Sequence, residues 1–547
     1  MRVGYLVFTI MVVNIVMNMT SRFASGGRRA ASVLLVAGCL AAAPVWAGAG
    51  PVSADPATGA CAPGASWSDL AVVGAEVTAV DAVANPGGST RLTPPLASAT
   101  PDIAFCEVEI TLTHGVEGGL GPDEARVWLW LPDDWNGRLQ EVGGGGTHAT
   151  NGPRAMAPAL ADGYAVVASD SGVPDARQPN IFLTSEGAFD WQTYENWTYR
   201  GVRDATVLAQ AAVRAYYGEP AAYSYWNGCS NGGRQGMAMA QRFPDLFDGI
   251  LAGAPAMYGA DRLNMTMSWP AVVQNERLGD FLPTCKLAAL RDAVLAACDG
   301  DDGVRDGLVS RPELCDYRAA LDGAVGTKTP CGKVRKADAA VVAEIYRGPH
   351  EADGRAVWYG HTPGMDLTGG VVRVPPTFAL QNFAFADLSY DWRQVSTTDL
   401  VGEVRSRLQG RLELLATADP ALDTFAEQGG KVLMWHGLAD GLFPADQSVH
   451  YYDEVRTLSG AATDDYFRLF LAPGVDHCGG GAGPQPVAPF RALVRWVEDG
   501  QAPDVLPASG PAPDGGTRER RLCAYPEVQH YRGGDPDSAA SFTCGAA

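Results

Sequence analysis

The run Gly228-Cys229-Ser230-Asn231-Gly232-Gly233 constrains this chain more than any other stretch. It carries the pattern G-x-S-x-G at the junction of two unlike segments. Ahead of it, Tyr223-Ser224-Tyr225-Trp226-Asn227 is aromatic and strand-like. Behind it, Arg234 to Arg242 is rich in Met, Ala and Gln, and Pro244 punctuates its end. A strand that turns sharply into a helix with a serine at the turn is a nucleophile elbow, which leaves the hydroxyl exposed. A bulky side chain at Gly228 or Gly232 would clash where strand and helix cross. The same five letters also occur in ordinary Gly/Ser loops, so the flanking segments and the partners of the serine decide between the two.

A serine alone is a poor nucleophile and needs a base and a group to orient that base. In a hydrolase built on such an elbow the chain order is Ser, acid, His. Lys431 to Gly437 reads as a buried strand ending in a turn, with Asp440 just past it. Phe467 to Leu471 reads as another strand, running into Ala472-Pro473-Gly474-Val475-Asp476-His477-Cys478. Both candidates fall on loops after strands, where side chains from different strands converge. Of eight histidines, His477 is the best base. His436 is its main rival, at a strand end. His148 lies in a glycine loop and could line the site. His114, His350, His361, His450 and His530 read as surface or capping residues. Asp446 and Asp476 compete with Asp440 for the acid role. Asp476 adjoins the histidine and would point away from the nitrogen it must hold, and Asp446 is farther from the strand end.

Cys229 immediately precedes the serine and Cys478 immediately follows the histidine. A bridge between them would tie the nucleophile loop to the base loop; two unrelated buried thiols are the plainer alternative. This Cys-Ser, Asp and His-Cys constellation resembles the tannase and feruloyl esterase family of α/β hydrolases, which includes mono(hydroxyethyl) terephthalate hydrolases. The matching stretches are Asn227 to Pro255, Cys298 to Cys315, Trp435 to Asp440 and Pro473 to Gly481, so the likeness spans most of the chain. The resemblance implies an α/β-hydrolase fold with a mostly parallel sheet and a large inserted lid domain. It implies a Ser230, Asp440, His477 triad, a Cys229–Cys478 bridge, and hydrolysis of esters of aromatic acids of feruloyl, galloyl or terephthaloyl type. It is also consistent with pairing of Cys61 with Cys106, Cys298 with Cys315 and Cys523 with Cys544. Cys285 and Cys331 are then left over. A lipase or peptidase of other specificity, and a non-catalytic binding protein on a hydrolase fold, are the alternative functions.

The organisation along the chain agrees. Residues 1–49 read as a leader. Arg28-Arg29 precede an apolar stretch from Ala31 to Val45, with small residues around Ala47 and Ala49 suited to cleavage. The apolar Met1 to Met19 ahead of it fits a start codon assigned too early. Cys39 resembles a lipoprotein processing site and gives the alternative of a lipid anchor. The expectation is a secreted or periplasmic protein, with no membrane-spanning segment after Ala49. Of 11 cysteines, Cys39 falls in the leader and the remainder is even, as an oxidising compartment favours. Residues 50–256 alternate strands with helices, the signature of a mostly parallel sheet. The pattern breaks over 257–428, read as the lid, and resumes over 429–547. A net charge of −21 excludes nucleic acid as a partner, because phosphates are repelled. The partner expected is a small aromatic ester.

Two loops remain. Cys298 to Leu308 holds four crowded carboxylates, which repel unless a hard cation sits among them. Val304 and Ser310 stand where an EF-hand needs glycine and glutamate, so this is not one; a solvated acidic turn is the other reading. The resemblance implies a structural calcium ion held by the side chains of Asp299, Asp302 and Asp306 and the backbone oxygens of Val304 and Leu308. Gly143-Gly144-Gly145-Gly146 follows the strand-like Arg138 to Val142 and lacks the Gly-Lys-Ser/Thr of a phosphate loop. In this fold the residue after the serine, Asn231, donates one oxyanion N–H. The loop after an early strand donates another, assigned here to Gly145 give or take one position.

Overall fold

The computed structural model describes Cys61 and residues 67–88, 102–116, 121–173, 181–184 and 187–547. The leader expected at 1–49, with its expected cleavage site and Cys39, lies outside the described residues.

Nine strands form the main sheet: β1 (Glu76–Asn85), β2 (Phe105–Thr113), β3 (Ala125–Pro132), β4 (Arg138–Val142), β5 (Ala165–Ser169), β6 (Tyr223–Cys229), β7 (Gly249–Gly253), β8 (Lys431–Gly437) and β9 (Phe467–Ala472). Their spatial order is β1-β2-β3-β5-β4-β6-β7-β8-β9. From β5 to β9 every pair is parallel. The chain's first three strands extend the sheet antiparallel. Strands in the parallel part of such a sheet are covered on both faces, which favours apolar runs. All of β5 and β7 is buried, and so is β8 beyond its first residue.

Helices α1 (Pro153–Ala161), α2 (Gly201–Tyr217) and α3 (Asn231–Arg242) follow β4, β5 and β6. The pleat sends alternate strand residues to opposite faces. Trp226, Ile250, Val432 and Met434 join Met237 and Met239 of α3 in one cluster. Tyr225, Leu251, Leu433 and Trp435 pack on the opposite side. The apolar stripe of α2, from Val202 to Val213, is buried, and the helix stops at Gly218, whose φ of 80° suits a residue without Cβ.

No strand of the main sheet lies between β7 and β8. That segment holds α4 (Gly259–Leu278), α5 (Thr284–Cys298) and α6 (Lys336–Arg347), with π-helical turns at Ala379–Ala384 and Leu400–Val404. Its aromatics mostly pack on themselves: Phe385 stacks on Tyr390 at 3.7 Å, and Trp392 lies 6.0 Å from Phe281. Phe383 instead reaches the core loop, 5.5 Å from Phe182. After β8 and β9, α7 (Asp446–Ser459) and α8 (Pro489–Asp499) complete the cover. Tyr451 of α7 joins the α3 side, and Leu493 and Trp496 of α8 join the other.

Two features depart from the expectations. A small antiparallel sheet, with β10 (Val505–Pro511) against β11 (Thr517–Cys523), follows α8. Its alternating Arg518 and Arg520 share one buried face and reach the acidic loop. Arg518 Nη2 donates to the Asp306 carbonyl at 2.7 Å, and Arg520 pairs with the Asp306 carboxylate. Second, His114 is no surface residue. Its ring is buried between Asp123, 2.6 Å from Nδ1, and Asp204, 2.7 Å from Nε2. Burial works against its charge, but the hydrogen bonds to both carboxylates prevail and raise it to about 9. His361 is buried too, and desolvation lowers it to about 4.

Five disulfides join the described cysteines: Cys61–Cys106, Cys229–Cys478, Cys285–Cys331, Cys298–Cys315 and Cys523–Cys544. Cys229–Cys478 spans 249 positions, with Cα atoms 5.9 Å apart, and ties the end of β6 to the loop after β9. Closing so long a loop stabilises a fold by about 3–5 kcal/mol on the chain-entropy account. Replacing both cysteines by Ala is therefore expected to lower the unfolding free energy by an amount of that order in denaturant titration. Peptide mapping without reduction is expected to give one linked species carrying Ser230 and His477; free thiols at both positions in active protein would refute the bridge.

Candidate active site

Ser230 is the N-cap of α3, at φ 63° and ψ −123°. This is a strained backbone for a residue with a Cβ, of the kind that functional turns retain. The turn is locked from both sides. The Ser230 N–H donates to Gly253 O at 2.9 Å, and its carbonyl accepts from Arg234 N at 3.0 Å and Ala256 N at 3.2 Å. The glycines are sterically required. A Cβ on Gly228 would lie 2.5 Å from the Gly232 backbone, and one on Gly232 would lie 2.9 Å from Gly144 O.

The Cys229–Cys478 bridge joins the residue before Ser230 to the residue after His477. The Nδ1–H of His477 donates to Asp440 Oδ2 at 2.7 Å. That fixes the tautomer with Nε2 as acceptor, and Nε2 is buried without a hydrogen-bond partner among the described residues. The Phe443 ring stands edge-on to the imidazole, 5.0 Å away. Burial opposes a charge on His477, but the Asp440 charge and hydrogen bond outweigh it and raise the imidazole above its ordinary value.

Asp440 is itself buried. Its Oδ2 also accepts from His436 Nε2 at 3.1 Å, and its Oδ1 accepts from the N–H groups of Leu442 and Phe443 at 2.7 and 2.9 Å. Burial would raise this carboxyl, yet the two histidines hold it well below the carboxylate range. His436 is thus engaged at both ring nitrogens: its Nδ1 lies 2.8 Å from Ser448 Oγ and its ring is buried. Asp476 turns away from the imidazole, and its Oδ1 accepts from the N–H groups of Gly441 and His477. Burial, then the Asp440 charge, raise it. Asp446 is the first residue of α7 and is raised by burial.

The glycine loop lies against the elbow. Gly143 donates to Asn227 O and Gly144 to Gln235 Oε1, each at 3.1 Å. Those two N–H groups are committed, which leaves Gly145 and Gly146 as candidate donors. A Cβ on Gly146 would meet nothing within 4 Å, and one on Gly145 only Asn151 Oδ1 at 3.7 Å. Asn231 opens α3, where backbone N–H groups lack intrahelical acceptors. Its side chain is pinned, with Oδ1 accepting from Arg234 Nε at 2.8 Å and Nδ2 donating to His148 O at 3.3 Å. A cavity of about 440 Å³ opens nearby between Leu308, Gly364, Leu438 and Asp476, but Ser230 does not line it.

The acidic loop folds on itself. Asp299 Oδ1 accepts from the N–H groups of Asp306, Gly307 and Leu308, and Asp302 Oδ1 accepts from Val304 N. Burial, with the charges of Asp306 and Asp299, raises Asp302. This oxygen-rich, mutually repelling set suits a hard cation. Arg520 already compensates Asp306, and among the described residues no three His, Cys, Asp or Glu side chains converge at ligating distance. A cation there would share Asp306 with the arginine and draw in the loop's other oxygens.

The family model for tannase and feruloyl esterase matches residues 121–545. A probable feruloyl esterase of Arthroderma benhamiae is 38% identical over 86% of this chain and 91% of its own. A mono(2-hydroxyethyl) terephthalate hydrolase of Piscinibacter sakaiensis is 30% identical over 83% and 87%. The structure of a tannin acyl hydrolase from Aspergillus niger superposes with a TM-score of 0.76 at 25% identity, covering 90% of this chain and 94% of that one. The chain belongs to the tannase and feruloyl esterase family of α/β-fold enzymes and is a carboxylic ester hydrolase.

Proposed function

We propose that this is an exported esterase for aromatic-acid esters that works through Ser230, His477 and Asp440. One observation supports the reading: a covalent bridge joins the residue before the elbow serine to the residue after an imidazole whose Nδ1 is engaged by a buried carboxylate and whose Nε2 is unpartnered among the described residues. His477 Nε2 takes the proton of Ser230 Oγ as that oxygen attacks the ester carbonyl. The N–H groups of Asn231 and of Gly145 in the glycine loop receive the oxyanion, each worth on the order of 3 kcal/mol in the transition state. His477 returns the proton to the leaving alcohol. Water repeats the cycle on the acyl-enzyme and frees the acid, while Asp440 stabilises the imidazolium. The aromatic acid is inferred from the relatives, named for feruloyl and terephthalate esters. The segment at 257–428 is the lid. Five disulfides favour an oxidising compartment, secreted or periplasmic.

The acidic loop is the calcium site, with side chains of Asp299, Asp302 and Asp306 and backbone oxygens of Val304 and Leu308 as ligands. The ion is structural. It supplies counter-charge to crowded carboxylates and braces a loop stapled by Cys298–Cys315.

Three outcomes are expected. Ser230→Ala abolishes hydrolysis of methyl ferulate, methyl gallate and mono(hydroxyethyl) terephthalate with the melting temperature unchanged; a phosphonate adduct on another serine would overturn the nucleophile. The acidic limb of kcat/KM reports the free enzyme's base. Because His477 is raised and its protonated form cannot accept the serine proton, activity climbs with pH through a midpoint above the ~6.5 of free imidazole. A midpoint clearly below that value counts against His477 as the base. Chelation lowers the melting temperature, since an ion bound only by the folded state stabilises it, and Asp302→Ala removes that sensitivity. Metal analysis without calcium, in protein purified free of chelator, would defeat the site.

A further inference from the structure

Arg234 lies one turn into α3, a single helical step from the elbow. Its side chain is 1% exposed. Nε donates to Asn231 Oδ1 at 2.8 Å, Nη1 to Thr198 O at 2.7 Å and Nη2 to Trp197 O at 3.4 Å. The guanidinium stands over the Trp197 ring, 5.0 Å from its centroid. Every acceptor is neutral, and among the described residues no Asp or Glu forms an ion pair with it. Burial pushes the group down to about 9, so it is charged at neutral pH.

This placement is unfavourable twice over. A buried cation without a counter-ion bears a desolvation cost that carbonyls offset only in part. A cation in the first turn of a helix also opposes the macrodipole, whose positive end is there. Both penalties shrink when a negative charge forms at that end. The tetrahedral oxyanion is such a charge, and on the reading of Ser230 and Asn231 given above it forms at the N-terminus of α3. Transition-state stabilisation comes from groups already oriented toward charge that has not yet developed.

We infer that Arg234 is a positioning residue of the oxyanion site, holding Asn231 through its side chain and keeping the helix N-terminus electropositive. It does not touch substrate. It fixes the residue whose backbone N–H receives the oxyanion, and its charge is balanced only while the intermediate exists. The inference rests on the proposed roles of Ser230 and Asn231, and the test separates the two.

Arg234→Gln and Arg234→Lys are compared with the wild type on a short p-nitrophenyl ester. The measurements are kcat, KM, melting temperature, and inhibition by an arylboronic acid, which forms a tetrahedral serine adduct, and by the matching carboxylic acid. For Arg234→Gln, kcat falls roughly 10- to 100-fold, the scale of a displaced oxyanion donor, with KM nearly constant. Boronate affinity falls in step and carboxylic-acid affinity does not. Arg234→Lys recovers part of kcat, because it restores charge without the planar fork. Should Arg234→Gln fail to fold, Asn231→Ala keeps the backbone donor but removes the acceptor of Arg234, and the same split of kcat from KM is expected. Wild-type kcat in folded Arg234→Gln or in Asn231→Ala, or a loss confined to KM, overturns the inference. A phosphonate label on a serine other than Ser230 in the wild-type enzyme overturns the nucleophile assignment and this inference with it. A label on Ser230 combined with unchanged kcat in the variants overturns this inference alone.

Discussion

A serine on one loop and a histidine on another exchange a proton only if both loops hold position to a fraction of an ångström. Here a covalent bond enforces part of that registry. Cys229 ends β6 and Cys478 follows the histidine, so the disulfide clamps the two loops at the residues adjacent to the proposed nucleophile and base. The backbone cooperates. Ser230 N is bonded to the end of β7, and Ala254 N, just past it, donates to Trp435 O in β8 at 2.7 Å. Three neighbouring parallel strands are thereby coupled at their carboxyl ends, where an open α/β sheet presents its site.

Asp440 shows how the fold sorts equivalent residue types into different roles. Two aspartates, Asp440 and Asp476, act on His477, and their local donors distinguish them. Asp440 receives two imidazole N–H and two backbone N–H bonds, enough to keep a buried carboxylate ionised. Asp476 spends Oδ1 on backbone groups and feels the Asp440 charge, so its own ionisation is disfavoured. Environment pushes the carboxyls apart, and the one held low is the one bonded to the histidine.

Features whose determinants are close in sequence were legible. The elbow is written in five consecutive residues plus the change of period on either side. The strands Arg138–Val142 and Lys431–Gly437 appear with the bounds expected from the sequence. What depended on distant partners was not legible. His114 is buried because Asp123, nine positions on, and Asp204, ninety on, converge on it, and nothing beside it in the chain announces Asp204. The role of Arg518 and Arg520 depends on Asp306, more than two hundred residues earlier. Their i, i+2 spacing was visible, but a surface strand carries the same spacing. The choice within the glycine loop needed three dimensions, since four identical residues differ only in which N–H groups Asn227 and Gln235 consume.

The buried ions follow a rule that makes one of them informative. Lys286 pairs with Asp338, Asp306 with Arg520, and His114 with two carboxylates. Each is a charge removed from water and neutralised by its opposite, as burial requires. These pairs brace the structure: within the insertion, between the acidic loop and the terminal sheet, and between the antiparallel strands and α2. Arg234 differs: it is held by carbonyls, an amide and an aromatic face, with no ion pair among the described residues. Its Nε and Nη1 bonds, at 2.8 and 2.7 Å, are well formed, so the missing partner is not a packing defect. A charge that must answer a transient anion cannot be satisfied beforehand by a permanent one, because a resident carboxylate would cancel the field that the anion needs. An uncompensated cation beside the elbow therefore belongs with the strained serine: both are local costs that the surrounding core sustains at the site of reaction.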